Sequence, residues 1–403
     1  MKKILFAVLL VMIPAMLFVK VSAQVGFTNF TSLQGLVDDF VTGGVAIDAN
    51  NVKWFGTQSG LSKYDDENWQ SFDTDDGLVD NYIQCIAIDN SLNVWIGTEN
   101  GVSKYNGSIF TNYTTADGLP ENSILDIACD NSGNVWLASF SGLTKFNGTD
   151  FQNYTSSDGM SSDFISCITV SGENLYIGTF GAGLMVYNGS TFTPLTTENG
   201  LLDNNISALA TDSEGHLWVG SYYGITVLDN SYSVSVTYTL NNGLINNYVQ
   251  DIAIDDNDNV IVCEYADYLQ DGGISLYNGS VWENYTVSDG LVNAMVKRVV
   301  FDGENFAWIT TGGGVSKMDT DAGIMFNESF EAFVYPNPVK DVLYLSNGYG
   351  SISYCITDIS GKIIDQNSDF EGSSINFNNI SKGIYLISYK FEDNVFSSKI
   401  IKE

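Results

Sequence analysis

Basic side chains are scarce in this chain, which has 16 lysines and arginines against 48 aspartates and glutamates and a formal net charge of −32 at pH 7. Arg298 is the single arginine. Because nucleic-acid phosphates are bound by a basic surface, this composition argues against nucleic acid as a partner. The charge is typical of a soluble secreted protein, and cation binding is a second interpretation of it.

Residues that ligate transition metals are also few. His216 is the only histidine, so a histidine-rich metal site is excluded. We interpret His216 as an incidental turn residue, since a Ser-His-Asp triad would need its ring near a serine and a carboxylate in space, which sequence does not show. The cysteines show no metal-ligand spacing and occupy apolar strand positions, so we expect free thiols rather than disulfides. They are Cys85, Cys129, Cys167, Cys263 and Cys355.

One acidic run, residues 255–259, is similar to the start of a calcium-binding loop. Val260 and Ala266 stand where such a loop needs glycine and glutamate, so the match fails. No glycine-rich phosphate-binding motif precedes a helix, since no helix is evident. The sequence therefore predicts neither a metal nor a cofactor.

The beginning of the chain predicts a secretory signal peptide over residues 1–23. Two lysines precede an apolar run at residues 4–19, and Val21-Ser22-Ala23 fits a small-residue cleavage site. A membrane anchor is the alternative, but the run is short for a span and Lys20 interrupts its end. No later stretch is long and apolar enough to cross a bilayer.

One stretch recurs along most of the chain. It begins at the Asp-Gly-Leu sequence of residues 76–78 and runs to Thr114. The glycine of this sequence returns every 41 to 47 residues. Its positions are Gly35, Gly77, Gly118, Gly159, Gly200, Gly243 and Gly290. A period in this range predicts a stacked or circular repeat architecture.

Each unit contains four short runs with strand character. In the unit that begins at Gly77 they are residues 83–88, 94–98, 101–105 and 109–113. Four antiparallel strands make one propeller blade, and such a sheet needs a neighbour on each face. Most units carry an aromatic residue in the second run, and its repetition indicates packing between blades. These aromatics are Trp54, Trp95, Trp136, Tyr176, Trp218 and Trp308.

The ends of the repeat array predict how it closes. The seventh unit stops at Asp319, before a fourth strand. Residues 27–30, Phe-Thr-Asn-Phe, stand ahead of the first glycine as residues 110–113, Phe-Thr-Asn-Tyr, stand ahead of the third. We therefore expect the N-terminal segment to supply the missing strand and remove the open sheet edges. The predicted fold is all-β, a seven-bladed β-propeller over residues 24–321 closed by an N-terminal strand.

These repeats carry a family resemblance. Asp-Gly-Leu followed by Asn-Val-Trp-Ile-Gly-Thr and Gly-Val-Ser-Lys-Tyr-Asn-Gly resembles the two-component-regulator propeller repeats, and the likeness covers residues 25–320. Such propellers often form the extracytoplasmic sensor of membrane-bound hybrid kinases linked to carbohydrate detection. This sequence shows no kinase region and no second membrane segment. The resemblance therefore implies a ring suited to binding rather than a signalling protein.

A different pattern follows a predicted linker at residues 322–332. Alternating, β-branched runs over residues 333–403 predict a small β-sandwich. The Tyr-Pro-Asn-Pro sequence at residues 335–338 and the Gly-Ile-Tyr sequence at residues 383–385 resemble the type A sorting domain of the type IX secretion system of Bacteroidetes. That resemblance implies contact with the secretion machinery and export across the outer membrane. An ordinary accessory sandwich is the alternative.

The turn between the second and third strands departs from the repeat in four consecutive units, where it carries aromatic residues. In a propeller this turn shares a face with the inter-blade turn, so these aromatics would line half of one rim. The candidate ligand-binding residues are Phe140, Phe180, Tyr222, Tyr223, Tyr265 and Tyr268 as stacking platforms, with Glu264, Asp267 and Asp271 as hydrogen-bond acceptors. The alternative is that these rings fill gaps between blades.

The sequence supports an exported, non-enzymatic propeller that binds a glycan or protein at the cell surface or in the medium. No carboxylate is seen to leave the repeat in a way that marks a catalytic pair, so no catalytic residue is assigned. A polysaccharide lyase or glycoside hydrolase acting from the same face is the first alternative. A structural or adhesive surface protein is the second.

Overall fold

The computed structural model describes two long segments and several short ones. They are residues 26–265, 272–320, 334–335, 339–345, 352–358, 362–370, 374–378, 380–391 and 394–402. The predicted signal peptide, the predicted linker and the candidate residues Asp267, Tyr268 and Asp271 lie outside the described residues. Contacts divide the chain into two compact units, Met1–Gly323 and Ile324–Glu403. Among the described residues, no helix has the length and hydropathy needed to span a membrane.

The first unit is built of short antiparallel strands. In chain order they are β1 (Phe27–Phe30), β2 (Val41–Ile47), β3 (Lys53–Thr57), β4 (Gly60–Tyr64), β5 (Trp69–Phe72), β6 (Ile83–Ile88), β7 (Val94–Thr98), β8 (Val102–Tyr105), β9 (Phe110–Tyr113), β10 (Asp126–Cys129), β11 (Val135–Ser139), β12 (Gly142–Phe146), β13 (Phe151–Tyr154), β14 (Ile165–Ser171), β15 (Asn174–Thr179), β16 (Leu184–Tyr187), β17 (Phe192–Leu195), β18 (Ile206–Thr211), β19 (Leu217–Ser221), β20 (Gly224–Leu228), β21 (Val234–Tyr238), β22 (Val249–Ile254), β23 (Val260–Glu264), β24 (Gly273–Tyr277), β25 (Trp282–Tyr285), β26 (Val296–Phe301), β27 (Phe306–Thr311) and β28 (Gly314–Asp319). Four single 3₁₀ turns, Ser156–Asp158, Thr197–Asn199, Leu240–Asn242 and Val287–Asp289, precede repeat glycines.

These strands form four-stranded sheets that follow the repeat. Six sheets take four consecutive strands each, from β2–β5 through β22–β25, and a further sheet has the order β1-β28-β27-β26. The first strands of successive sheets contact one another, from β2 with β6 through β22 with β26, and β26 contacts β2. Sheets placed around an axis in this way have the arrangement of propeller blades, so the prediction of an all-β propeller is confirmed.

The strand that completes the last sheet comes from the start of the described chain. Phe27 pairs with Met318 and Phe30 with Val315 in antiparallel register. The Phe30 ring stacks on Trp308, with centroids 5.5 Å apart, and its centroid lies 5.5 Å from that of Tyr64 in the neighbouring sheet. Aromatic packing therefore anchors β1 to two sheets.

The Asp-Gly-Leu signature has a packing role. Gly77 adopts φ 116°, a conformation that disfavours a side chain, and Leu78 is buried. Asn112 on the outer strand donates from Nδ2 to the Gly77 carbonyl oxygen at 3.0 Å and accepts at Oδ1 from Ser103 Oγ at 2.7 Å. The Ser103 hydroxyl in turn accepts from the Val79 amide at 2.9 Å. The signature here ties the inter-blade turn to the outer strands of the blade that follows it, and the same asparagine-to-glycine hydrogen bond occurs at Gly118 and Gly290.

The second-strand tryptophans are structural, as predicted. Asp89 Oδ1 accepts from two amides of its own turn, and its Oδ2 accepts from Trp95 Nε1 at 2.9 Å. Trp95 is buried against the next sheet, and Lys104 Nζ lies 5.2 Å from its ring centroid. The same Asp-to-Trp hydrogen bond occurs in three other sheets, so the aspartate-rich turns orient the packing aromatics.

All five cysteines carry free thiols, as expected. Three of them, Cys85, Cys167 and Cys263, are buried in the propeller. Burial raises the pKa of Cys167 to about 12 and raises the pKa of the other two thiols well above the ordinary value. These thiols are therefore protonated packing groups at neutral pH.

The second unit contains two small sheets. Its strands are β29 (Val334–Tyr335), β30 (Val342–Leu345), β31 (Ile352–Asp358), β32 (Ile363–Phe370), β33 (Ser374–Asn376), β34 (Gly383–Phe391) and β35 (Asn394–Lys402). One sheet has the order β29-β30-β33 and the other β32-β31-β34-β35. Leu343 and Ile375 from the first sheet share a buried core with Ile356 and Ile387 from the second. A core between two sheets is the arrangement of a β-sandwich.

Candidate functional site

The turns that carry the predicted aromatics meet the inter-blade segments on one face of the propeller. The Phe180 amide donates to the Phe164 carbonyl oxygen at 3.0 Å, and the amides of Gly181 and Gly183 donate to the Asn204 carbonyl oxygen. Phe164 and Asn204 both lie just ahead of a first strand. We call the surface formed by these turns and segments the rim.

Three exposed phenylalanines meet on the rim. The Phe140 centroid lies 5.9 Å from that of Phe180 and 6.4 Å from that of Phe164. Their exposed fractions are 42%, 38% and 57% for Phe140, Phe180 and Phe164. Exposed rings in mutual contact form an apolar patch, which marks an interaction surface more often than isolated rings do. We call these three residues the phenylalanine cluster.

Three tyrosines form a second, less exposed group beside it. The Tyr248 centroid lies 4.1 Å from that of Tyr222 and 4.9 Å from that of Tyr265. The Tyr265 amide donates to the Tyr248 carbonyl oxygen at 2.9 Å, which holds Tyr265, the residue after β23, against the segment before β22. Burial and the neighbouring Tyr222 hydroxyl raise the pKa of Tyr248 above its ordinary value. Tyr223 stands apart from this group, and 63% of it is exposed.

Glu264 lies beneath the rim rather than on it. The residue is fully buried, and its Oε1 accepts from Ser275 Oγ at 2.6 Å and from the Ile245 amide at 3.3 Å. Burial raises its pKa well above the ordinary value. Glu264 is therefore unavailable as an acceptor for ligand hydroxyls on an exposed surface, which corrects that part of the prediction.

The repeat explains why a glutamate at this position is unusual. In the other sheets the residue that ends the second strand is a threonine or serine, whose hydroxyl donates to a carbonyl oxygen across the turn. Thr98, for example, donates to the Gly101 carbonyl oxygen at 2.9 Å. The other residues are Thr57, Ser139, Thr179, Ser221 and Thr311. Glu264 stands in place of this hydroxyl-bearing residue, and its carboxyl oxygen accepts a hydrogen bond from the Ser275 hydroxyl.

Three charged residues from separate sheets meet near the axis. Arg298 Nη2 on β26 lies 3.3 Å from Asp126 Oδ1 on β10, and Arg298 Nη1 lies 3.9 Å from Asp251 Oδ1 on β22. The second oxygen of Asp126 accepts from the Ile168 amide, and that of Asp251 accepts from the Val299 amide, both at 2.9 Å. We call Asp126, Asp251 and Arg298 the axial cluster.

The two ion pairs change the proton affinities of the cluster. Burial raises the pKa of Asp251 to about 6, although Arg298 and the Val299 amide favour its ionised form. Electrostatic attraction to Asp126, and to a smaller extent to Asp251, raises the pKa of Arg298 above its ordinary value, so the guanidinium stays charged. The cluster therefore combines a permanent cation with a carboxyl group that titrates near pH 6.

The axial cluster corrects the expectation that no carboxylate leaves the repeat. Asp126 and Asp251 occupy the first-strand position that pairs with the glycine or small residue of the second strand, and Arg298 holds the corresponding position in β26. Other sheets place small residues there, namely Gly44, Cys85, Cys167 and Ala208. A charge at an otherwise small, buried position was the sequence signal for these three residues. Phe164 and Tyr248 lie before the first strand, outside the turn between the second and third strands where the sequence departs from the repeat.

A cavity opens at the face opposite the rim. Its volume is 490 Å³, and the ends of the first strands β14, β18, β22 and β26 line it. Leu209, Ile252 and Val299 form apolar walls, and Asp256 lies at the turn that borders it. Among the described residues, no group of three histidine, cysteine, aspartate or glutamate side chains is arranged to hold a metal ion.

Each of the two units matches a different protein-family model. Residues 333–403 match the model of the secretion system C-terminal sorting domain. Residues 118–141 and 200–223 match the model of the two component regulator propeller. Both resemblances drawn from the sequence motifs are confirmed by these matches. A sorting domain of this kind indicates secretion or a cell-surface location and contact with the secretion machinery.

Solved structures share the propeller fold at low sequence identity. The extracellular domain assigned to the hybrid two component system BT3049 of B. thetaiotaomicron is 18% identical, with 93% of this chain and 57% of that chain covered and a TM-score of 0.63. PorZ, a surface component of the type-IX secretion system of Porphyromonas gingivalis, is 16% identical, with 91% and 60% covered and a TM-score of 0.59. The chain therefore spans less than two thirds of these two proteins. Streptogramin B lyase is 15% identical, with 73% and 97% covered and a TM-score of 0.60.

A search of curated proteins found no match. The fold and the family matches together define the class of protein, an all-β propeller followed by a secretion sorting domain. Within that class, the chain is a propeller protein that is secreted or displayed at the cell surface.

Proposed function

We propose that this chain is a non-enzymatic binding protein, a closed seven-bladed propeller delivered to the cell exterior by the type IX secretion system. The antiparallel pairing of β1 with β28 and the contact of β26 with β2 support a closed ring. The sorting-domain match supports export, and a cleaved signal peptide at residues 1–23 would start that route. Its ligand is a glycan, bound at the rim.

The phenylalanine cluster is the observation that carries this proposal. Interior aromatics of the ring are buried between sheets, whereas Phe140, Phe164 and Phe180 expose 38% to 57% of their surface while contacting one another. Exposed apolar surface lowers solubility unless a ligand uses it, and aromatic faces stack on the apolar faces of sugar rings. The tyrosine group and Tyr223 extend the aromatic surface toward the neighbouring sheets.

A glycan array with the purified protein tests the proposal, followed by affinity measurements on the best ligand. Phe164→Ala should weaken binding about tenfold, since one stacked ring contributes on the order of 1 kcal/mol or more. Ile109→Ala is the matched control, because Ile109 is also exposed, at 61%, but lies in the turn between the third and fourth strands. The double variant Tyr222→Ala, Tyr265→Ala should also lose glycan retention.

Three outcomes would overturn the proposal. Unchanged affinity in the Phe164 variant would remove the rim from the site. Retention of a protein but of no glycan would reassign the ligand class. Turnover of a polysaccharide that is lost on changing one rim carboxylate would replace a binding function with a lyase or hydrolase.

A further inference from the structure

The axial cluster lies in the middle of the ring and remains accessible. Arg298 retains 28% of its side-chain exposure, compared with 9% for Asp126 and 13% for Asp251. The corresponding positions of four other sheets hold glycine, alanine or cysteine, which leave room around the guanidinium. A small polar group that enters from solvent can therefore reach Arg298.

The cluster offers donors and acceptors side by side. Among the described residues, the guanidinium makes one hydrogen bond, to Asp126, although it has five N–H donors. Asp126 Oδ1 and Asp251 Oδ1 lie within 4 Å of its nitrogens and can accept further hydrogen bonds. A planar cation beside carboxylates suits a pair of neighbouring hydroxyls, each of which donates to an oxygen and accepts from an N–H.

Rim aromatics stand just ahead of first strands, and the residues of the axial cluster lie on first strands. Tyr248 stands three residues before Asp251, and Phe164 stands three residues before Cys167 at the same level of β14. Three residues of a strand span about 10 Å. One ligand can therefore contact the rim aromatics with one part and the axial cluster with another.

The charge of the ring determines which polar group is favoured there. Residues 24–321 contain 38 aspartates and glutamates and only seven lysines and arginines. Five of those lysines lie over tryptophan rings, namely Lys53, Lys63, Lys104, Lys145 and Lys317. The cation in the axial cluster already faces two carboxylates. Lys297, the neighbour of Arg298 on β26, lies with its Nζ 5.9 Å from the Phe40 ring centroid. A carboxylate or sulfate group on the ligand would therefore meet a negative potential on approach and a cluster cation that is already paired.

We propose that the axial cluster binds neighbouring uncharged hydroxyls of the ligand and makes the ring selective for neutral glycans over anionic ones. The inference rests on the proposed glycan-binding function, because the rim must bring the ligand to the axis. Asp126, Asp251 and Arg298 then belong to the binding site and determine whether neutral or anionic glycans bind.

Affinity measurements on neutral and anionic polysaccharides test this selectivity. Laminarin, xylan and mannan serve as neutral probes, and alginate, polygalacturonate and chondroitin sulfate as anionic ones. Neutral probes should bind, and Asp251→Asn and Arg298→Lys should each weaken that binding about tenfold, the loss expected for one charge-assisted hydrogen bond. Asp256→Asn is the matched control, since it removes the same charge from an exposed residue on the opposite face and should leave affinity unchanged.

The outcomes separate this inference from the proposed function. Binding of the anionic probes by the wild-type protein, or neutral binding that Asp251→Asn and Arg298→Lys both leave intact, would overturn the selectivity while the rim remained a glycan site. No binding of any probe, with the melting temperature of each variant showing an intact fold, would overturn both.

Discussion

Replacing Asp251 with asparagine should stabilise the propeller above pH 6 and leave its stability unchanged near pH 3. Burial raises the pKa of Asp251 from 3.8 to about 6 in the folded protein. The folded state therefore holds a proton at pH values where the unfolded chain has released it. The stability that this proton contributes is fully present below pH 3.8 and is lost as pH rises through 6. An asparagine keeps the acceptor for the Val299 amide and cannot ionise.

The size of the effect follows from the pKa change. Moving a carboxyl pKa from 3.8 to about 6 corresponds to about 3 kcal/mol in the free energy of unfolding once the group is ionised in both states. The side chain is 13% exposed, so solvent screening reduces this figure only modestly. For a propeller of this size, 3 kcal/mol is a rise of about 5 °C in the melting temperature.

Thermal unfolding followed by circular dichroism between pH 3 and 8 measures this effect. The melting temperatures of wild type and Asp251→Asn should coincide at pH 3 and separate progressively up to pH 7. Asp256→Asn controls for the change in net charge and should follow the wild-type curve. A variant that is less stable than wild type at pH 7, or a difference in melting temperature that does not depend on pH, would refute the raised pKa of Asp251 in the folded protein.

Two further predictions concern the ring itself. Asp126→Asn should destabilise the protein by about 3 kcal/mol, because it removes the nearer partner of the Arg298 guanidinium and leaves the charge less compensated, and urea unfolding should show a lower midpoint. An unchanged midpoint would mean that the ion pair contributes nothing to the free energy of unfolding. Phe30→Ala should cost about 2 to 4 kcal/mol by removing the ring that stacks on Trp308 and contacts Tyr64. Limited proteolysis should then release the N-terminal strand, and wild-type resistance in this variant would argue against a closing role for β1.

The fold was largely predictable because the same pattern of strands and turns recurs in seven units of the sequence. Each unit combines period-2 strand patterns with a glycine that needs positive φ, and these local signals agree with one another. The seventh unit lacks a fourth strand, and the Phe-Thr-Asn-Phe sequence at residues 27–30 matches the missing one, so the partner of β28 could be read from the sequence.

The candidate site was only partly predictable. Phe140 and Phe180 were found because they depart from the repeat within a recognisable turn. Their partner Phe164 lies before the first strand of its sheet, outside the turn that departs from the repeat. Asp126, Asp251 and Arg298 are far apart in sequence and meet only because three sheets face one axis, so no local pattern joins them. Glu264 was assigned to the rim because a turn position looked exposed, whereas its carboxyl group replaces a buried threonine or serine hydroxyl.

Hydrogen–deuterium exchange with and without a bound glycan locates the ligand on the whole protein in one measurement. A glycan at the rim should slow exchange in the rim turns at residues 140–142, 162–166 and 180–183 and leave exchange unchanged in the opposite-face turns at residues 130–134 and 212–216. Protection confined to the opposite face would contradict the assignment of the rim as the ligand-binding surface.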